Sequence, residues 1–255
     1  MGPVRDLRTA TSFLTRLRVG GDVGGPEDLA RGVPWFPVVG CVLGLAVAAV
    51  YAAGRSVFPQ FVAAAVAIGV GVWATGAFHE DGLADTADAF GGARTREETL
   101  RILKDPRLGT YGVAALIFDV AIRVGALAAL NTRTAFVVVP AAHALSRAGA
   151  VALLAGPVAT EEGLGASYGS VVTRTQVTLA IVAGLLIGTA ALGPVVAAAA
   201  LSVALGSFIV GRLARRRIGG VTGDILGCAQ QVGEIVVLLA GVAFVDQGWL
   251  DVPWW

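Results

Sequence analysis

"FVAAAVAIGVGVWATGAF", residues 61–78, carries no charged side chain, and the chain then reads "HEDGLADTADAFGG", residues 79–92, which places Glu80, Asp81, Asp85 and Asp88 within nine residues. A transmembrane helix needs about 20 mostly apolar residues. The first stretch meets that length and the second is too acidic to continue it, so a membrane crossing ends at an acidic surface. The whole chain agrees. Its 255 residues are 56% hydrophobic and 15% charged, with mean hydropathy +0.76, whereas a soluble domain carries about 25% charged residues. Seven stretches are apolar enough to cross: 35–53, 57–78, 111–130, 135–155, 177–192, 195–211 and 232–245. Their Ala and Gly content suits close helix packing in lipid. The expected fold is an all-α polytopic membrane bundle of about seven helices, forming one domain over 1–255.

Charge orients the bundle, because short cytoplasmic loops collect Lys and Arg. Arg5, Arg8, Arg16, Arg18, Arg31, Arg94, Arg96, Arg101, Lys104, Arg107, Arg174, Arg212, Arg215, Arg216 and Arg217 fall on one side, and Arg55 and Arg133 on the other. The N-terminus and the acidic stretch are therefore expected at the cytoplasmic face of the membrane, with the C-terminus outside. Residues 1–32 read as an interfacial, Arg-rich amphipathic segment. Residues 79–110 read as an acidic cytoplasmic catalytic loop, and 212–231 as a basic, Gly-rich one. A formal net charge of +1 gives no ground for a nucleic-acid partner. Cys41 and Cys228 are far apart and form no paired motif. Oligomeric state is left open, a homo-oligomer included.

If residues 81–90 continue as a helix, Asp81, Asp85 and Asp88 lie within roughly 60° of one another, and Glu80 points about 100° away from Asp81. Like charges at this spacing repel, so a cation is expected among them. Mg²⁺ uses one or two carboxylates with waters and substrate phosphates. Asp81 and Asp88 are separated by about 10 Å along the axis, which suits two ions or one ion with an outer carboxylate. The bland alternative is a solvated acidic face. The same segment supplies "ILKDPRLGTYG", residues 102–112, in which Lys104, Asp105 and Arg107 precede a turn leading to Thr110 and Tyr111. Cations and free N–H groups at a helix start suit phosphate; an ordinary basic interfacial loop is the alternative. "RRRIGGVTGDILGCAQQVGE", residues 215–234, adds a Gly-rich turn with Thr222 and Gly223 that could wrap an anion. In it Asp224 is a cap or a metal ligand, and Gln231 shares its face. A third Gly-rich loop spans 156–175. Within the apolar segments, Asp119 and Arg123 read as a structural pair, and His143, Ser146 and Arg147 as a polar cavity holding substrate.

The stretches "HEDGLADTADAFGG", "ILKDPRLGTYG" and "GGVTGDILGCAQQ", in this order, with "FLTRLRVG" (13–20) and "FPVVGCVLG" (36–44) upstream, resemble the cobalamin synthase family, the adenosylcobinamide-GDP ribazoletransferases. The resemblance spans nearly the whole chain. It departs at Arg18, where the family usually has Pro, at Glu80, where an apolar residue is common, and at Ala89–Phe90, where Gly is frequent. None of these removes a carboxylate of the shared face. The resemblance implies an Mg²⁺-dependent transferase of cobalamin biosynthesis joining adenosylcobinamide-GDP to α-ribazole, or its 5′-phosphate, with release of GMP. It implies Asp81, Asp85 and Asp88 as metal ligands, Asp224 or Asp105 completing the metal site or orienting the attacking hydroxyl, Lys104 and Arg107 opposite the leaving group, and His79 as general base or as a cap at the membrane end of its helix. Thr110, Tyr111, His143, Arg147, Thr222, Gly223, Asp224 and Gln231 would contact substrate. A CDP-alcohol phosphotransferase is the enzymatic alternative, which CMP release would mark. A secondary transporter using the intramembrane charges is the other, which uptake without bond cleavage would mark.

Overall fold

The computed structural model describes residues 2–20, 24–159 and 169–249. Among these the regular elements are helices: α1 (Pro3–Leu14), α2 (Pro26–Gly32), α3 (Phe36–Gly54), α4 (Gln60–Thr75), α5 (Phe78–Gly92), α6 (Arg96–Ile102), α7 (Thr110–Ala129), α8 (Thr132–Ala152), α9 (Arg174–Leu192), α10 (Val196–Ile218) and α11 (Gly223–Asp246). The chain is an all-α, multi-pass membrane protein. By length and composition five stretches can cross a membrane, six when the bent pair α4–α5 counts as one crossing. The expected fifth and sixth segments fall in a single 45-residue stretch, Arg174–Ile218. That stretch breaks at Gly193, which has φ +57. Its two arms run back along α8: Gly184 abuts Ala148, and Ser207 abuts the adjacent Gly149.

α8 is the axis of the bundle. Nearly all of its side chains are buried, and α3, α9 and α11 pack around it. Asn131 starts it by accepting from the Thr134 N–H at 3.0 Å. Pro140 sits inside it, and Gly44 of α3 lies so close that a Cβ there would stand 2.6 Å from the Pro140 Cα. Small residues thus set the helix spacing.

The junction at 76–78 is sharper than its apolar run predicts. α4 stops at Thr75 rather than running to 78. Gly76 (φ 70) and Ala77 (φ 59) are both left-handed, and the axis turns by 89° into α5. Ala77 is the single non-glycine residue with positive φ among the described residues, a conformation that costs energy.

Two expected loops are corrected. Residues 79–110 are mostly α5 and α6, the latter closed by a capping box in which Thr95 accepts from the Glu98 N–H. The 212–231 segment is helical except at 219–222, and the last apolar helix begins at Gly223, well before 232. The glycines there make the reversal between the two helices. Gly219 takes φ 87, and a Cβ on Gly220 would stand 2.5 Å from the Pro157 carbonyl. Val221 donates to the Pro157 carbonyl and accepts from the Ala159 N–H. Of the loop expected at 156–175, residues 160–168 lie outside the described residues.

One end of the bundle gathers the ends expected at the cytoplasm. Arg16 N–H donates to Ala74, Arg96 Nε to Ile218 and Arg217 Nη1 to Ala93. At the other end Tyr51 and Gln60 both donate to the Leu130 carbonyl. α1 is amphipathic as expected; it buries Ala10 and Leu14, and Phe13 stacks on Phe36.

Candidate active site

α5 lies across the start of α11 at a glycine-to-glycine contact. A Cβ on Gly82 would stand 2.8 Å from the Asp224 carbonyl oxygen and 3.2 Å from the Gly227 Cα. This approach brings Asp81 and Asp85 of α5 to the first turn of α11, where Asp224 sits. Asp85 feels the charges of Asp81, Asp224 and Asp88, and Asp224 that of Asp81. Burial is graded along the face: Asp81 is exposed, Asp85 half-buried and Asp88 buried. The cap of α11 is Thr222, whose hydroxyl accepts from the Ile225 N–H at 3.4 Å and lies 3.3 Å from Asp224 Oδ2. Asp224 itself is left facing the other acids.

Asp88 has a different task. Its Oδ2 accepts from the Gly109 N–H at 2.7 Å and its Oδ1 from the Gly112 N–H at 2.9 Å. Both oxygens serve the free N–H groups at the start of α7, so Asp88 ties α5 to the loop ahead of that helix. It also forms one wall of a cleft of about 420 Å³ lined by Gly92, Ile102, Asp105, Arg107, Gly109 and Tyr111. Tyr111 is exposed, and its ring lies over Gly91. Thr110 and Lys104 are also exposed. Arg107 and Asp105 form a fork-to-fork pair, Nε to Oδ1 at 2.9 Å and Nη2 to Oδ2 at 2.7 Å. The Arg107 hydrogen bonds hold the Asp105 carboxyl down at about 2, so it is an anion at any working pH.

Among the described residues no three His, Cys, Asp or Glu side chains close into a metal cage. Asp81, Asp85 and Asp224 lie near enough to feel one another's charge without forming such a cage; hard cations that keep waters and substrate phosphates use only one or two carboxylates.

A family model described as cobalamin-5-phosphate synthase matches residues 6–242. The chain belongs to the cobalamin-5-phosphate synthase family. Among curated relatives, the adenosylcobinamide-GDP ribazoletransferase of Bradyrhizobium diazoefficiens is 45% identical over 246 residues, covering 94% of each chain. Those of Ralstonia nicotianae and Azorhizobium caulinodans are 40% identical over 251 residues and 39% over 248. They cover 95% and 92% of this chain, and 96% and 94% of their own. No solved structure matches the chain. The protein is thus a transferase of cobalamin biosynthesis.

In this member of the cobalamin-5-phosphate synthase family the remaining expected residues lie inside the bundle. His79 is buried, its ring edge-on to Phe78. It shares a cavity of about 40 Å³ with Arg147, Gly223, Gly227 and Gln230. A void of that size holds a few waters, not a substrate. His143 and Arg147, expected in a substrate cavity, are both buried, and of the two Arg147 lines this void. Arg147 Nη1 donates to the His143 carbonyl at 2.9 Å, and His143 Nδ1 lies 3.5 Å from Glu234 Oε2. Gln231 is buried, and its Oε1 has no hydrogen-bond partner. The expected Asp119–Arg123 pair is present at 3.1 Å, but it belongs to a larger set. Arg123 also holds Glu80 at 2.8 Å and lies 2.9 Å from Glu234 Oε1. Gln230 joins Ser146 to Glu234. Glu80 points away from the shared acidic face in the helical reading of the sequence; for Glu234 the available signal was an ionisable group inside an apolar helix.

Proposed function

We propose that the protein transfers the adenosylcobinamide-phosphate group of adenosylcobinamide-GDP to α-ribazole, or to α-ribazole 5′-phosphate, and releases GMP at the cytoplasmic face of the inner membrane. A ribose hydroxyl forms the new P–O bond at the phosphorus bearing the corrinoid arm. The bond from that phosphorus to the GMP oxygen breaks, and the hydroxyl proton passes to solvent or to a nearby carboxylate. The supporting observation is the α5–α11 crossing, which gathers Asp81, Asp85 and Asp224 next to a cleft bearing Arg107 and the start of α7. Phosphoryl transfer of this kind is mainly positioning and charge neutralisation.

Asp81, Asp85 and Asp224 are the residues that would hold Mg²⁺, and Asp88 the one that fixes the adjoining loop. Bound there, Mg²⁺ would neutralise pyrophosphate charge. Arg107, with Lys104 nearby, offsets charge on the departing GMP, while Asp105 orients the Arg107 fork. Thr110, Tyr111, Thr222 and Gly223 border the same surface. His79, buried beneath it, supports α5 rather than acting as general base. The test is GMP release by purified protein in lipid, given adenosylcobinamide-GDP and α-ribazole, with Mg²⁺ and then with EDTA. Release requiring both the ribazole and Mg²⁺ is the expected result. CMP release from a CDP-alcohol, or uptake without cleavage, would replace the proposal.

A further inference from the structure

Helix α5 is strung between two anchors. At its far end Asp88 is bonded to Gly109 and Gly112 of the α7 start. At its beginning Glu80, fully inside the bundle, is held through Oε1 by Arg123 Nη1 at 2.8 Å, and its Oε2 has no hydrogen-bond partner. Arg123 is fixed in turn by Asp119 on its own helix and by Glu234 of α11. Between the anchors α5 meets α11 at Gly82 and Gly227. The two glycines set how closely the helices approach, and beside them Thr86 of α5 lies against Cys228 of α11.

We propose that Arg123 is a positioning residue for the acidic face: by holding Glu80 from inside the bundle, it sets the rotation of α5 that presents Asp81 and Asp85 beside Asp224. The inference rests on the metal site proposed above. Glu80 and Asp81 are consecutive, so the direction of one fixes the direction of the other, about 100° around the helix. A rotation of only 20° would move a carboxylate carried about 5–6 Å from the axis by about 2 Å. Site geometry tolerates about 0.5 Å. Arg123 suits the task because its planar fork reaches several carboxylates at once and stays charged when buried. Side chains that orient metal ligands typically change metal affinity 10–100-fold when altered.

Mn²⁺ binding to the full chain in lipid nanodiscs, read by the electron paramagnetic resonance of free Mn²⁺, tests the proposal, alongside the Mg²⁺ dependence of GMP release. Glu80→Gln is the informative variant, because Arg123 keeps Asp119 and Glu234 as partners. Arg123→Lys, which keeps the charge and loses the fork, is the independent second. Both are expected to weaken Mn²⁺ binding at least tenfold and to raise the Mg²⁺ concentration for half-maximal turnover equally, with turnover recovering at high Mg²⁺. Mn²⁺ affinity within twofold of the unmodified chain, in either variant with an unchanged unfolding temperature, overturns the inference. Asp81→Asn separates the two levels. If it binds Mn²⁺ as the unmodified chain does, the metal site falls and the positioning role with it. If it abolishes binding while Glu80→Gln changes nothing, only the positioning role falls.

Discussion

Replacing Gly82 with alanine perturbs the proposed site without touching a charged group. The added Cβ would stand 2.8 Å from the Asp224 carbonyl oxygen, 3.0 Å from its Cα and 3.2 Å from the Gly227 Cα. All three are backbone atoms, which cannot swing aside. Ordinary contact begins near 3.4 Å, so α5 and α11 must part by about 0.6 Å, or α5 must roll. Overpacking of this kind costs about 1–3 kcal/mol, and alanine returns about 0.5–1 kcal/mol of helix propensity. The net loss of stability is about 0–2.5 kcal/mol, small enough for the variant to fold. Activity is more sensitive. A 1 Å misplacement can cost about 100-fold, so a shift of about 0.6 Å between Asp81–Asp85 and Asp224 is expected to lower GMP release by roughly 10-fold or more. The matched control is Gly125→Ala in α7, where the new Cβ meets nothing within 4 Å; it is expected to keep full turnover and to gain slightly in stability. Turnover by folded Gly82→Ala equal to that of the control would refute the claim that the crossing sets the geometry of the acids.

Asp81→Asn and Asp85→Asn are expected to abolish turnover in folded protein; near-normal rates at saturating Mg²⁺ would remove them from the mechanism. Asp88→Asn keeps one amide acceptor for two N–H donors and loses its charge. Because a hydrogen bond to a charged group contributes about 1.5–3 kcal/mol, amide exchange at 109–112 should accelerate markedly, and unchanged exchange would show that the tie to α7 is idle. Arg107 is exposed, so Arg107→Ala should leave the unfolding temperature unchanged while lowering turnover; equal loss of both would make its role structural. Arg107 holds Asp105 at about 2, below the ordinary carboxylate range. Its contribution is therefore complete above that range and fades only as pH falls toward 2. Asp105→Asn should accordingly leave the shape of the pH–rate profile between 5 and 9 intact, and disappearance of an acid limb would contradict this.

The residue pattern alone carried the membrane character, the helical class and the shared face of Asp81, Asp85 and Asp88, because all three follow from composition and from a 3.6-residue period acting locally. The motifs in their order carried the family. Helix ends were less legible. Nothing in the uncharged run to Phe78 announces that Gly76 and Ala77 turn the chain by 89°. Glycines at 219 and 220 also suit an anion loop as well as the reversal they make against Pro157.

Pairings between distant residues were decided only by the tertiary structure. Asp88 shares a helix face with Asp81, yet its oxygens are taken by Gly109 and Gly112, more than twenty residues on. Arg123 looked paired once its i,i+4 Asp119 was found, but three helices supply its carboxylates. His143 and Arg147, read as a polar cavity, join that buried ionic layer through Glu234. Periodicity tells which side of a helix a group occupies. What it meets there depends on which helices cross and how closely, and in this bundle small residues such as Gly40, Gly44, Gly82 and Gly227 set those crossings by allowing backbones to touch.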